Sequence, residues 1–181
     1  KTMEAPLVSY FKNPVQNTIP FQEMSLVQIY RKIKSDAFKS QTEKLRTILD
    51  KKEARKYKSS NFHYATFSGT FSKRSDAELK EHSGLLTVDF DHLEDVSALK
   101  EKLLLDEYFE TEMMFVSPSG DGLKWIIPID LSQASHQEYF QAVFNYVKHT
   151  YGFSIDESGK DVSRACFLPH DAEVYINPKY L

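Results

Sequence analysis

The chain has 181 residues, 41% of them hydrophobic and 13% aromatic, and a formal net charge of −3 at pH 7. That length suits one ordinary domain with a buried core, and the composition excludes a disordered chain. The slight acidity excludes binding to nucleic acid through an overall basic coat, but not a polymerase-type site, where carboxylates and cations lie side by side.

Cys166 is the only cysteine. No disulfide can form within the chain, no zinc site can be built on cysteines, and a reducing, cytoplasmic setting is expected. The sequence shows no signal peptide and no apolar run long enough to span a bilayer. The first residue is not Met, and residues 1–181 are read as one domain, the N-terminal fragment of a longer multidomain protein.

In chain order, "PLVSYF" (6–11) reads as a strand and "NPVQNTIP" (13–20) as a loop. Ser25 and Gln28 form a capping-box pattern ahead of Leu26, Ile29, Tyr30 and Ile33 at helical spacing. A second helix bears Leu45, Ile48 and Leu49 and runs into the basic stretch "KKEARKYKSS" (51–60), read first as a solvated helix end, with a phosphate-backbone contact as the weaker alternative. "FHYATFSGTF" (62–71) is a strand and a glycine bend, and "SDAELKEH" (75–82) is expected as one or two helical turns. A strand at 85–91 precedes a helix capped by Asp95 and using Val96, Leu99 and Leu103. "TEMMFVS" (111–117) and "LKWIIPI" (123–129) are strands joined by "PSGDG". Ser135 and Glu138 open a helix with Phe140, Val143, Phe144 and Val147 on one face, and "ACFLP" (165–169) and "EVYIN" (173–177) close the chain as strands. The order implies an α+β fold with an RRM-like or ferredoxin-like split β-α-β core and an N-terminal helical part.

Three segments could bear chemistry. In "LLTVDFDHL" (85–93), Asp89 and Asp91 project from the same side of a strand, so a positive group is expected between them. Mg²⁺ or Mn²⁺ suits such a pair. A lone D-x-D is more often an exposed strand end, but the apolar run before it favours a site. In "SPSGDGLKWIIP" (117–128), two glycines and a serine form a nest-like turn followed by Lys124, equipment for phosphate. The same Asp-Gly is also an ordinary hairpin signal. In "GKDVSRACFLPHD" (159–171), Asp161 offers a third carboxylate and Arg164 a cationic fork, or the two form a local surface pair. His63, His82, His92, His136 and His149 lack metal-ligand spacing and are read as structural or surface residues. Together the segments fit two-metal phosphoryl or nucleotidyl transfer.

The succession "DFD", "SPSGDGLKW", "KDVSRACFLP" resembles the archaeo-eukaryotic primase, or primase-polymerase, superfamily, and most closely its primase-like VirE N-terminal family of bacterial mobile elements. "VSYFKNPVQNTIP", "YATFSGTFSKR", "HSGLLTVDFDHL" and "FLPHDAEVYINP" extend the similarity over nearly the whole chain. The resemblance implies a primase-polymerase-like fold and a metal-dependent nucleotidyltransferase of replication or mobilisation, with Mg²⁺ or Mn²⁺ as cofactor. Asp89, Asp91 and Asp161 would be catalytic metal ligands, and Ser119, Gly120, Gly122, Lys124, Arg164 and Arg74 would bind the nucleotide. The implied partners are a nucleoside triphosphate, a single-stranded or primed DNA template and a following helicase-type module. The superfamily usually has His where this chain has Lys124, which can pair with phosphate but offers no imidazole. A catalytically silent nucleotide- or nucleic-acid-binding module is the alternative, and a metal-dependent nuclease is the third.

Overall fold

A computed structural model describes all residues 1–181. Its strands are β1 (Leu7–Phe11), β2 (Gln22–Ser25), β3 (Tyr64–Thr66), β4 (Gly69–Phe71), β5 (Leu79–His82), β6 (Leu85–Phe90), β7 (Met113–Val116), β8 (Leu123–Pro128), β9 (Cys166–Phe167) and β10 (Tyr175–Ile176). The helices are α1 (Leu26–Lys34), α2 (Lys39–Thr47), α3 (Lys51–Asn61), α4 (Val96–Leu104) and α5 (His136–Tyr151). The class is α+β, as expected, with every strand pair antiparallel.

One sheet has the order β10-β7-β8-β6 and a second β2-β1-β3-β9, with β4 and β5 forming a separate pair. Since β8 runs antiparallel to both β6 and β7, those two are mutually parallel and joined through α4, which is a split β-α-β unit. The closing strand β10 pairs with β7. In a ferredoxin-like sheet it would instead flank the unit's first strand, here β6.

Alternation along the strands builds two cores. Leu85, Met113, Phe115 and Ile126 face the second sheet and α1, packing with Val8, Ile29, Ile33, Phe67 and Cys166. Leu86, Val88, Met114, Trp125 and Ile127 face α4 and α5, packing with Leu99, Leu103, Phe140, Val143 and Val147. The β10-β7-β8-β6 sheet therefore lies between a helical layer and the second sheet, and odd-numbered β6 residues point between the sheets.

Three of the four caps the sequence implies form, and the Ser75–Glu78 capping box does not, since Ser75 makes no side-chain cap bond. Ser25 and Ser135 make full capping boxes with Gln28 and Glu138, and Asp95 accepts from the Ala98 amide. Ser135→Ala removes an acceptor for the Glu138 amide, and urea unfolding is expected to show a loss of about 1 kcal/mol.

Two expectations fail. "SDAELKEH" is a short 3₁₀ turn (Asp76–Glu78) followed by β5, because pairing with β4 overrides local helix preference. The helix through Leu45 does not run on into 51–60. It ends at Thr47, and α3 starts afresh at Lys51 with Leu49 left 94% exposed.

Candidate functional site

Register brings the first pair together. Asp89 on β6 stands directly opposite Lys124 on β8, both facing the gap between the sheets. Asp89 is only 2% exposed. Lys124 Nζ lies 3.0 Å from its Oδ1, and Arg164 Nη2 lies 2.7 Å from its Oδ2 and 3.5 Å from Asp156 Oδ2. Only the Arg164 contact is an aligned hydrogen bond. Oδ1 accepts none, so Lys124 acts there as a charge. Burial pushes the Asp89 pKa up, but the Lys124 and Arg164 charges more than offset it and hold the carboxyl below its usual range. The same carboxylate raises the pKa of both cations against their own desolvation. The positive partner that "DFD" demands is thus supplied by the chain itself.

The three acids do not converge. Asp91 lies exposed just beyond β6, where His92 at φ 54° turns the chain away. Asp161 is exposed at the end of a 3₁₀ turn (Glu157–Lys160). No group of three or more His, Cys, Asp or Glu side chains is placed to hold a metal ion. The residues as arranged do not fit Mg²⁺ or Mn²⁺.

Cations do converge beside Asp89. A pocket of about 480 Å³ is lined by Arg55, Lys58, Arg74 and Arg164, with Asp161 as its acid and hydroxyls from Ser59, Ser158 and Ser163. Arg55 and Lys58 are three apart on α3, which puts both on one side of the helix. Arg74 is fixed by donating to Tyr64 Oη (3.1 Å) and the Val15 carbonyl (3.0 Å). Burial lowers the Lys58 pKa, and the charges of Lys124 and Arg164 lower it further against the opposite pull of Asp91 and Asp121. Crowded cations of this kind are stabilised by a bound anion.

The turn between β7 and β8 spends its amides internally. Gly122 N–H donates to Ser117 Oγ (3.0 Å), and Gly120 N–H donates to the Ser117 carbonyl (3.0 Å). Ser119 Oγ donates to Asp121 Oδ1 (2.9 Å), and Arg46 takes the Ser117 and Pro118 carbonyls. Of the residues expected to hold nucleotide, Arg74 and Arg164 line the pocket, Lys124 lies behind it on Asp89, and Ser119, Gly120 and Gly122 form this closed turn.

A family model described as "BT4734-like, N-terminal domain" matches residues 56–176, more than half of the chain. The chain belongs to the BT4734-like N-terminal domain family. This overturns the resemblance to the primase-polymerase superfamily and the VirE N-terminal family, since the matching family is a different one and nothing links it to primase-polymerases. The motifs that prompted the resemblance have structural uses here: an ion-paired strand end, a closed hairpin and a tethered loop. The DNA template, the helicase-type module and the place in replication or mobilisation rested on that resemblance and are not carried forward. No curated protein and no solved structure matches the chain. The match in the BT4734-like family spans Lys58, Asp89, Lys124 and Arg164 but starts just after Arg55.

Arg55 and Lys58 escaped the sequence reading, which took their stretch for a solvated end. Their spacing on one helical side was the available signal, but the surface that side meets is set by tertiary packing. No helix is long and apolar enough to cross a membrane.

Proposed function

We propose that this domain is a binding module for the phosphates of a nucleotide or nucleic acid, and that it neutralises them with its own cations. The observation that supports this most is the set of Arg55, Lys58, Arg74 and Arg164 around one pocket, with Asp161 the only acid lining it. Asp89 and Asp156 pair with Arg164 from behind, and Asp91 and Asp121 act on Lys58. Asp89 is the anchor of that set: by pairing with Lys124 and Arg164 it keeps two partly buried cations charged and in place. Arg164 then has one face on Asp89 and one in the pocket. Arginine suits that double duty because its planar fork can donate in two directions. A lone buried thiol, Cys166, agrees with a reducing cytoplasmic setting.

The test is titration of a nucleoside triphosphate and of labelled oligothymidylate into wild type and into Arg55→Glu/Lys58→Glu. Wild type is expected to bind, with affinity falling as salt rises. The double charge reversal is expected to weaken binding more than about tenfold, since each lost or reversed charge contact is worth on the order of 1 kcal/mol or more. Equal affinity in the two proteins would sink the assignment.

Asp89 Oδ1 accepts no aligned hydrogen bond, but Lys124 Nζ lies 3.0 Å from it, and Asp91 and Asp161 do not join it, so metal-dependent nucleotidyl transfer by these three acids is not the reading favoured. Primer extension with Mg²⁺ or Mn²⁺ separates the two. Incorporation by wild type would favour the enzyme, and binding without incorporation favours the module.

A further inference from the structure

The segment 156–164 contributes Ser158, Asp161, Ser163 and Arg164 to the pocket, so whatever holds this segment sets the pocket's shape. It has no place in a helix longer than one 3₁₀ turn and relies on tethers. The Asp156 amide donates to the Asp89 carbonyl (3.1 Å) along the outer edge of β6. The Ser163 amide and hydroxyl donate to Asp76 Oδ1 (3.1 and 2.6 Å). Gly159 lies flat against the Thr87 carbonyl and the Phe140 ring, where a Cβ would sit 2.9 Å from each.

Arg164 on Asp89 and Gln137 Nε2 on the Lys160 carbonyl (3.4 Å) add to these, and a further tether is a pair of histidines that the phosphate reading leaves unused. The Gly84 amide donates to His82 Nδ1 (2.9 Å), so that nitrogen bears a lone pair and the proton sits on Nε2. His82 Nε2 lies 3.0 Å from His136 Nδ1 and must donate to it. His136 is therefore protonated on Nε2, which donates to the Gly159 carbonyl at 3.0 Å. One direction of donation satisfies all four groups, and it requires both rings to be neutral. A second proton on His136 would set two N–H groups head to head, and a second proton on His82 would clash with the Gly84 amide. The relay runs from β5 through the first residue of α5 to the middle of the 156–164 segment.

We propose that the neutral His82–His136 relay positions the 156–164 segment and makes phosphate binding at the Arg55/Lys58/Arg74/Arg164 pocket acid-sensitive. This rests on the phosphate-binding reading of that pocket.

Burial lowers both imidazoles, His82 to about 4, with the neighbouring His136 lowering it further. The carboxylates that face His136, Asp76 and Asp161, pull in the other direction but do not restore its ordinary value, and the Gly159 carbonyl bond does likewise. A folded-state imidazole pKa below the unfolded one means that the open or unfolded chain binds more protons. The relay is therefore fully stabilising above the ordinary value of about 6.5 and loses ground as pH falls from there toward the folded value. Protonation of other surface groups adds positive charge and strengthens polyanion binding, so an acid-induced weakening has a sign that bulk charge cannot produce.

The experiment follows the affinity of labelled oligothymidylate of about ten nucleotides, a span suited to one small domain, from about pH 7.5 to about pH 4.5, a range that runs from above the ordinary imidazole value toward the lowered folded one. Phosphodiesters stay ionised throughout. Wild type should weaken on acidification. His136→Gln keeps a neutral N–H donor and should bind near the wild-type level at the higher pH, with a smaller acid loss because only His82 remains to protonate. His136→Ala should bind up to about tenfold more weakly there, the worth of one hydrogen bond on the segment. The same acid slope in His136→Gln as in wild type, or unchanged affinity in His136→Ala, would overturn the relay. If wild type binds no oligonucleotide, the phosphate reading has failed, and amide exchange decides the relay separately. Protection of the Gly159–Arg164 amides should then drop on acidification in wild type and less in His136→Gln, and constant protection in wild type overturns it.

Discussion

Replacing Asp89 by Ala is expected to destabilise the fold by about 3–5 kcal/mol, the cost of breaking a buried ion pair from one side. The variant leaves Lys124 without its carboxylate inside the space between the sheets, while Arg164 keeps only the longer contact to Asp156. Asp89→Asn retains the shape and the β6 backbone but removes the charge, and it should lose most of the same stability. Urea unfolding at neutral pH reads both. A loss below about 1 kcal/mol, the range of exposed ion pairs, would mean that water reaches the cations and that the site is more open than its burial implies. The acid limb supplies a second readout. Because the folded-state pKa of Asp89 is depressed, its contribution is fully present above the unfolded carboxylate value of about 3.9 and is lost as pH falls through the lower folded value. Both variants should therefore be less acid-sensitive than wild type, relative to their own neutral stability.

This interaction marks the boundary of what the sequence reveals. Two carboxylates after an apolar run signal that a positive group is needed between them, but the chain supplies one for Asp89 alone, and Asp91 turns away into solvent. Which group answers depends on register. Lys124 meets Asp89 only because β8 pairs with β6 in one particular alignment, and Arg164 arrives on a loop from the far end of the chain. The helix caps at Ser25, Asp95 and Ser135 were legible because capping is settled within four residues. The strand β5 was not, since its partners are Thr70 and its neighbours on β4 and, through Lys80, Glu23 on β2. Likewise the basic stretch of α3 reads as a solvated surface until the fold lays Arg55 and Lys58 against the loop bearing Arg164. His82 and His136 read as structural or surface residues in the sequence, and their joint tautomer emerges only from the chain Gly84–His82–His136–Gly159.

The glycine turn shows the same division in one residue. "SPSGDGLK" is compatible with a phosphate nest and with a closed hairpin, and the two differ in what Gly122→Ala should do. In an anion nest the substitution would act mainly on ligand affinity. In the structure Gly122 is buried, its amide is held by Ser117 Oγ, and its own carbonyl accepts from the Ser117 amide at 2.9 Å. An added Cβ would overlap the Phe90 carbonyl and press on Ser117 Oγ at 3.0 Å. The first obstacle is backbone, which cannot rotate away as a side chain can. The β7–β8 turn would have to lift off the end of β6, disturbing the Asp89–Lys124 register one residue away. Overpacking of this kind costs about 1–3 kcal/mol, and urea unfolding without any ligand should show it. Arg46, which clamps the same turn through the Ser117 and Pro118 carbonyls, adds to the resistance. Full stability in Gly122→Ala together with lost phosphate affinity would return the turn to the role of an anion nest. Lost stability, with phosphate affinity kept under conditions where the variant remains folded, would fix it as the strut that holds Lys124 behind the pocket.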